Sequence, residues 1–273
     1  MEELKLRGYT CPEDFSGDTA DRIQKAIDTA EELDIRKVVL EGQYTVDRTI
    51  LVPGQMEIVF RDARLAMEGE GPLLLNRVAT EEGKNSWSFE NSRIYLKAVG
   101  SAVLQGDLCF YHAKYVVLED LRIEGKVFFE FSREIRMERD EILGGENALV
   151  IGRGCNNFIL QYLKAEAKGA AILLDTRIEK YPYVIGKDAE IHEIILRESE
   201  LNGETAVALG AGAELGIFNC QIDHITTNGN GIVIGDGSEL PGKRFFNLTA
   251  TDFRAAKEER ILKNPVRHCY FGE

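Results

Sequence analysis

The sequence predicts an all-β solenoid, a single domain in which short parallel strands stack coil upon coil. Two observations carry this reading. Short apolar segments recur along the chain, as Val127-Phe128-Phe129, Ala148-Leu149-Val150-Ile151, Ala171-Ile172-Leu173-Leu174, Ala206-Val207-Ala208-Leu209 and Gly231-Ile232-Val233-Ile234. A second short strand follows such segments, as in Phe158-Ile159-Leu160, Ile194-Ile195-Leu196 and Gly216-Ile217-Phe218. Segments this short, repeating at about 20 to 25 residues, cannot bury a face alone, so each coil must cover its neighbour.

The totals agree with one domain. A chain of 273 residues with 44% hydrophobic content can build a large core, and no Pro/Ser-rich linker divides it. The formal charge is −13 and the pI about 5.0, with acids scattered rather than blocked. That argues against nucleic-acid and anionic-membrane partners. Met1-Glu2-Glu3-Leu4-Lys5 lacks the basic start and apolar stretch of a signal peptide, and no run of about 18 apolar residues occurs. The cysteines Cys11, Cys109, Cys155, Cys220 and Cys269 are odd in number and lack paired metal spacing. They read as reduced thiols, so a cytoplasmic location is expected, with no cofactor and no metal.

Taken in order, the chain first shows a helix between Gly17 and Leu33, with Ile23, Ala26, Ile27 and Ala30 at helical spacing. Asp18 or Thr19 can cap it, and Asp21 suits the positive end of its dipole. Strands follow at Val38-Val39-Leu40, Ile50-Leu51-Val52 and Ile58-Val59-Phe60, punctuated by the turn Glu41-Gly42-Gln43-Tyr44. If Leu118, Met137, Leu160, Leu196, Ile217 and Leu248 are equivalent inward positions, the gaps are 19, 23, 36, 21 and 31 residues. The two long gaps mark insertions, Asp175 to Glu190 and Asp236 to Arg244. Both leave the same strand column, so they should project from one side and wall a cleft. Ala255-Ala256-Lys257-Glu258-Glu259-Arg260-Ile261-Leu262-Lys263 reads as a short helix stopped near Asn264-Pro265, covering the last coil. The expected organisation is a cap over 1–36, coils over 37–253 and a C-terminal cap over 254–273.

The run Gly17-Asp18-Thr19-Ala20-Asp21-Arg22-Ile23-Gln24-Lys25-Ala26-Ile27-Asp28, followed by Gly42-Gln43-Tyr44 and Thr49-Ile50, resembles the N-terminal cap and first coils of the pectate-lyase superfamily. These are single-stranded right-handed parallel β-helices, with the pectin-lyase-like fold, among them the polygalacturonases of glycoside hydrolase family 28. The resemblance implies that fold with an N-terminal capping α-helix. It implies a reaction poorly, because many activities share the scaffold. The family's Asn-x-Asp, Asp-Asp, Gly-His-Gly and Arg-x-Lys motifs fall here on Gly145-Glu146-Asn147, Lys168-Gly169-Ala170-Ala171, Gly203-Glu204-Thr205-Ala206 and Ile232-Val233-Ile234-Gly235. None is retained, so the family's hydrolytic mechanism transfers to no residue.

The residues themselves offer another set. With Ala148, Ala171, Ala206 and Gly231 equivalent, Glu146 and Glu204 stand two coils apart on one face, roughly 9 to 10 Å between backbones. Inverting glycosidases separate their carboxyls by about 6.5 to 9.5 Å, so Glu146 and Glu204 are the candidate acid and base, with Asp175 as substitute for either. Lys168, on the coil between, suits a carboxylated sugar. In and beside the insertions, Arg177, Lys180, Tyr181, Tyr183, Asn228, Lys243 and Arg244 form the expected binding set, tyrosines for sugar rings and cations for carboxylates. The histidines His112, His192, His224 and His268 share no ligand spacing, although Asp223 can orient the adjacent His224. The leading functional reading is a carbohydrate-active protein that binds, and in one version cleaves, an oligo- or polysaccharide, with uronic-acid-containing chains as candidates. If an enzyme, it is glycoside-hydrolase-like before it is a lyase. The alternative is an inactive glycan-binding or assembly module, and a third reading is a phage or surface adhesin fragment that trimerises through apolar strips. The sequence leaves the oligomeric state open.

Overall fold

The computed structural model of the chain describes residues 1–77, 91–178, 180, 189–212, 215–238 and 244–272. Among the described residues two parallel sheets form, one of nine short strands from Ile50–Val52 to Arg260–Leu262 and one of fourteen strands from Lys37–Val46 to Tyr270–Phe271. Each coil contributes to both, so sequence neighbours alternate between sheets while sheet neighbours lie one coil apart.

Inward columns made by the register form the core. One column runs Val38, Ile58, Leu96, Leu118, Met137, Leu160, Leu196, Ile222 and Ala250. All are buried. At about 25 cal/mol per Å² of apolar surface removed from water, such columns supply the main drive to coil. Phe129 adds ring contacts, stacked on Phe110 at 5.1 Å and edge-on to Phe158 at 5.3 Å. The expected equivalence of Leu118, Met137, Leu160 and Leu196 holds, but Ile217 and Leu248 sit in other inward columns. Leu196 pairs with Ile222, and Ile222 with Ala250, whereas Ile217 pairs with Ile191 and Leu248 with Cys220. Positions 217, 220 and 222 all face inward, 217 before and 220 and 222 after the left-handed residue Asn219 at φ 54, and each belongs to its own column.

Such a left-handed residue recurs in nearly every coil. Gln55, Arg93, Tyr115, Glu134, Asn157, Glu193, Asn219 and Asn247 form one column of positive φ. Asp120, Arg139, Tyr162, Glu198, His224 and Asp252 form a second. These columns bend the long sheet, because an αL residue turns the chain without a loop.

At the N-terminal end, helix α1 (Glu2–Arg7) buries nothing, and helix α2 (Thr19–Glu32) covers the first coil. The Asp18 carboxylate caps α2 by accepting from the Asp21 N–H at 2.7 Å. Ala20, Ile23, Ala26, Ile27 and Ala30 are buried beneath it. Gln24 closes the sheet edge, donating to the Leu51 carbonyl at 3.1 Å and accepting from the Leu51 N–H at 2.9 Å. Cys155 and Cys220 pack inside the coils, as expected of buried thiols.

The expected helix over Ala255–Lys263 does not form. Arg260–Leu262 is instead the ninth short strand, and Val266–Arg267 and Tyr270–Phe271 join the long sheet. Gly231 and Ile232 donate their N–H groups to the Glu258 and Glu259 carbonyls at 2.8 and 2.9 Å. Local helix propensity is worth only tenths of a kcal/mol per residue, and satisfying the amides of the preceding coil outweighs it.

Candidate functional site

The outer face of the short sheet is unusual for a surface. Outward positions alternate with inward ones, and one outward column reads Leu51, Leu75, Cys109, Phe128, Val150, Leu173, Ala208, Val233 and Ile261. Every member is apolar. Phe128 and Val150 are 1% and 4% exposed, covered in part by Tyr111 and Ile178. Burial pushes the Cys109 thiol up to about 12, so it stays protonated and unreactive.

Over this column lies a cavity of about 440 Å³, within the size range of small-ligand sites. Phe128, Val150, Leu173 and Ile178 form its apolar part, and Asp107, Lys126, Gly145, Glu146, Asn147 and Lys180 its polar part. Apart from Lys180, which follows the strand Ala170–Asp175, the polar groups come from the turns that lead into successive short strands. Asp107 accepts from the Lys126 N–H at 2.8 Å and pairs with its ammonium at 2.9 Å. Two coils from Asp107, Glu146 folds over bare backbone: a Cβ at Gly169 would lie 2.9 Å from both the Glu146 carbonyl oxygen and its Oε1. Asn147 accepts from the Ala170 N–H at 3.1 Å, and among the described residues its amide nitrogen makes no hydrogen bond. Lys180 stands opposite, its ammonium 5.5 Å from the Phe128 ring centroid. Among the described residues that ammonium makes no ion pair.

The cavity therefore gathers two of the residues singled out from sequence, Glu146 and Lys180. Glu204 is exposed at the same corner two coils further on and does not line the cavity; the exposed Lys168 lies between. Asp175 is 7% exposed, and Arg177 encloses its carboxylate with backbone N–H, Nε and Nη2 at 2.7 to 3.1 Å. Arg177 also reaches Asp236, so the roots of the two insertions meet. Hydrogen bonds from Ser238, and then the Arg177 guanidinium, hold the Asp236 carboxyl well below the usual range. Asn228 ties a corner together, accepting from the Gly203 N–H at 3.1 Å. Arg244 is half-buried, its carbonyl accepting from the Ile217 N–H at 2.7 Å. Tyr181, Tyr183 and Lys243 lie outside the described residues.

Asp107 and Lys126 escaped the sequence reading because they stand directly before the strands Leu108–Tyr111 and Val127–Glu130, in register with Ala148 rather than with Glu146. His224 sits between Asp223 at 2.8 Å and Asp252 at 3.2 Å, on an exposed corner. Among the described residues no His, Cys, Asp and Glu group could hold a metal, and no helix is long and apolar enough to cross a membrane.

No protein-family model and no curated protein sequence matches the chain. Its likenesses are structural. A tailspike protein of E. coli bacteriophage HK620, in complex with a pentasaccharide, aligns with TM-score 0.63 at 9% identity, over 93% of this chain and 52% of the tailspike chain. A family 28 exopolygalacturonase of Yersinia enterocolitica aligns with TM-score 0.58 at 8% identity, over 97% of this chain and 78% of the enzyme. PfbA, a surface adhesin of Streptococcus pneumoniae, gives 0.54 at 11% identity, over 97% and 92%. The chain spans about half the length of the tailspike. At such identities these likenesses establish the fold, a right-handed parallel β-helix of the pectate-lyase type, as the N-terminal resemblance implied.

Proposed function

We propose that this β-helix binds an oligosaccharide in the cavity over its short sheet. The observation that carries the proposal is the composition of that cavity: an apolar floor beside two carboxylates, two ammonium groups and an amide. Sugars need this combination, since their C–H faces pack on apolar surface while their hydroxyls take directed hydrogen bonds. The tailspike's bound pentasaccharide and the family 28 enzyme support a carbohydrate ligand for this scaffold. Lys180, with no carboxylate partner among the described residues, favours a uronic-acid-containing chain. Such an ion pair is worth most where apolar walls exclude water.

A second reading, cleavage, draws on the two carboxylates within one cavity. Asp107 and Glu146 lie two coils apart ahead of their short strands, Glu146 two residues before the position in register with Asp107, with Lys126 on the coil between. Two carboxylates lining one cavity can serve as the acid and the base that flank a glycosidic bond and a water. Glu204 is the alternative partner for Glu146 across the next two coils.

The test is calorimetric titration with uronic and neutral oligosaccharides, with reducing ends and unsaturated products followed in parallel. Uronate binding that weakens in Lys180→Ala supports the proposal. Reducing ends that vanish in Glu146→Gln and Asp107→Asn assign the acids. Loss in Glu146→Gln and Glu204→Gln, with Asp107→Asn active, assigns the other pair. Binding without product selects the inert glycan-binding form, and absence of binding across the panel overturns the proposal.

A further inference from the structure

Beside the apolar column runs a second outward column of the short sheet, which reads Tyr111, Glu130, Gly152, Asp175 and Gly210. Alternation places Glu130 on the outside, next to Phe128, yet it is 0% exposed. A carboxylate is sunk this deeply only when donors surround it. One is the Arg153 guanidinium, whose Nε lies 3.3 Å from Oε1, and another is the backbone N–H of Lys180, 3.0 Å from Oε2. The contact spans 50 residues of sequence and joins a strand to the segment that supplies one cavity wall. Glycine in the next coil leaves the space: a Cβ at Gly152 would press to 3.2 Å on the Phe129 carbonyl and meet the Glu130 side chain at 3.5 Å.

We infer that Glu130 is a positioning residue for the cavity, its buried carboxylate fixing the backbone of Lys180 so that the ammonium stands over Phe128 where a ligand's carboxylate would meet it. Glu130 touches no ligand in this scheme. Its effect passes through one peptide N–H. The inference rests on the proposed binding function for its consequence, but the Glu130–Lys180 link stands independently of any ligand.

The test compares wild type with Glu130→Ala, Glu130→Gln and Lys180→Ala by amide hydrogen exchange and by binding of trigalacturonate against neutral galactotriose. Glutamine keeps an oxygen acceptor, so it serves as the conservative rescue and as the variant expected to fold. Exchange at the Lys180 amide should rise at least tenfold in Glu130→Ala and by a smaller factor in Glu130→Gln, relative to the core amides of Leu149 and Ile172. Trigalacturonate affinity should fall several-fold in Glu130→Ala, and the double variant with Lys180→Ala should be no weaker than Lys180→Ala alone. Unchanged exchange at Lys180 in both Glu130 variants, or fully additive losses in the double variant, overturns the inference. If wild type ignores both sugars, the binding proposal fails while the exchange result still decides the Glu130 link.

Discussion

Asp140→Asn should stabilise the protein at pH 8 and leave it nearly unchanged at pH 4. Asp140 takes the inward position that Leu121 and Leu163 hold in the adjacent coils, and it is 0% exposed. Its Oδ1 accepts from the Leu121 N–H at 2.9 Å, while Oδ2 has no hydrogen-bond partner among the described residues. Burial pushes its carboxyl up to about 8; the Asp120 charge adds to the rise, and the Leu121 hydrogen bond and Arg139 oppose it. In the unfolded chain an aspartate titrates near 3.9. Between those values the folded state binds more protons than the unfolded one, so stability falls as pH rises through the window. The slope approaches about 1.4 kcal/mol per pH unit, on the order of 3 kcal/mol between pH 5 and pH 7. Asparagine keeps the acceptor for Leu121 and removes the ionisation, so the variant should lack this slope. Urea denaturation midpoints at pH 5, 6, 7 and 8 measure it. Parallel pH profiles for the two proteins would refute the assignment of a neutral, strained carboxyl at this position.

Other parts of the fold give four more expected outcomes. Gln24→Ala removes both hydrogen bonds to the Leu51 peptide at the capped edge and should cost about 1 to 3 kcal/mol, read as a lower denaturation midpoint with an unchanged m value. Gly235→Ala places a Cβ 1.9 Å from the Asn264 Oδ1 at a φ of +77, and should cost roughly 1 to 3 kcal/mol by thermal melting. Asn264 itself holds the Gly237 N–H at 3.0 Å, so Asn264→Ala and Gly235→Ala should be non-additive in a double-variant cycle. Lys180→Ala should weaken trigalacturonate binding by about tenfold, or 1.4 kcal/mol, and leave galactotriose binding unchanged, with the difference shrinking as salt is added.

The coiled architecture was readable because the strands between Val127 and Ile234 are bounded by turns at near-regular spacing, and the α2 cap because its apolar stripe and Asp18 coincide. Register was readable only while the alternation stayed unbroken. Asparagine is favoured at αL positions, but Gln55, Arg93, Tyr115, Glu134 and Glu193 hold the same column, so Asn219 alone does not mark the register, and Ile217 and Leu248 fall outside the column of Leu196. The C-terminal helix failed for a tertiary reason: Ala255–Lys263 is helix-prone in isolation, but the strand Asn230–Ile234 offers amides that only another strand satisfies. At the site, Glu146 could be found by counting back from Ala148. Phe128 could not, since in Val127-Phe128-Phe129 nothing in an all-apolar run tells which ring faces out. The buried Glu130 was likewise hidden, because an acid closing a strand resembles a solvated turn residue until a distant backbone N–H is seen to meet it.

The corner columns of left-handed residues have a consequence for how this surface can change. Asp120, Arg139, Tyr162, Glu198, His224 and Asp252 share one backbone geometry and no common side-chain chemistry. The corner therefore specifies a shape while leaving the residue free, at a conformational cost of about 1 kcal/mol per position that the packed interior offsets. Such an edge acts as a ruler, graduated at about 4.8 Å, on which neighbouring marks can be matched in charge, as Asp120 is with Arg139 and Asp252 with His224.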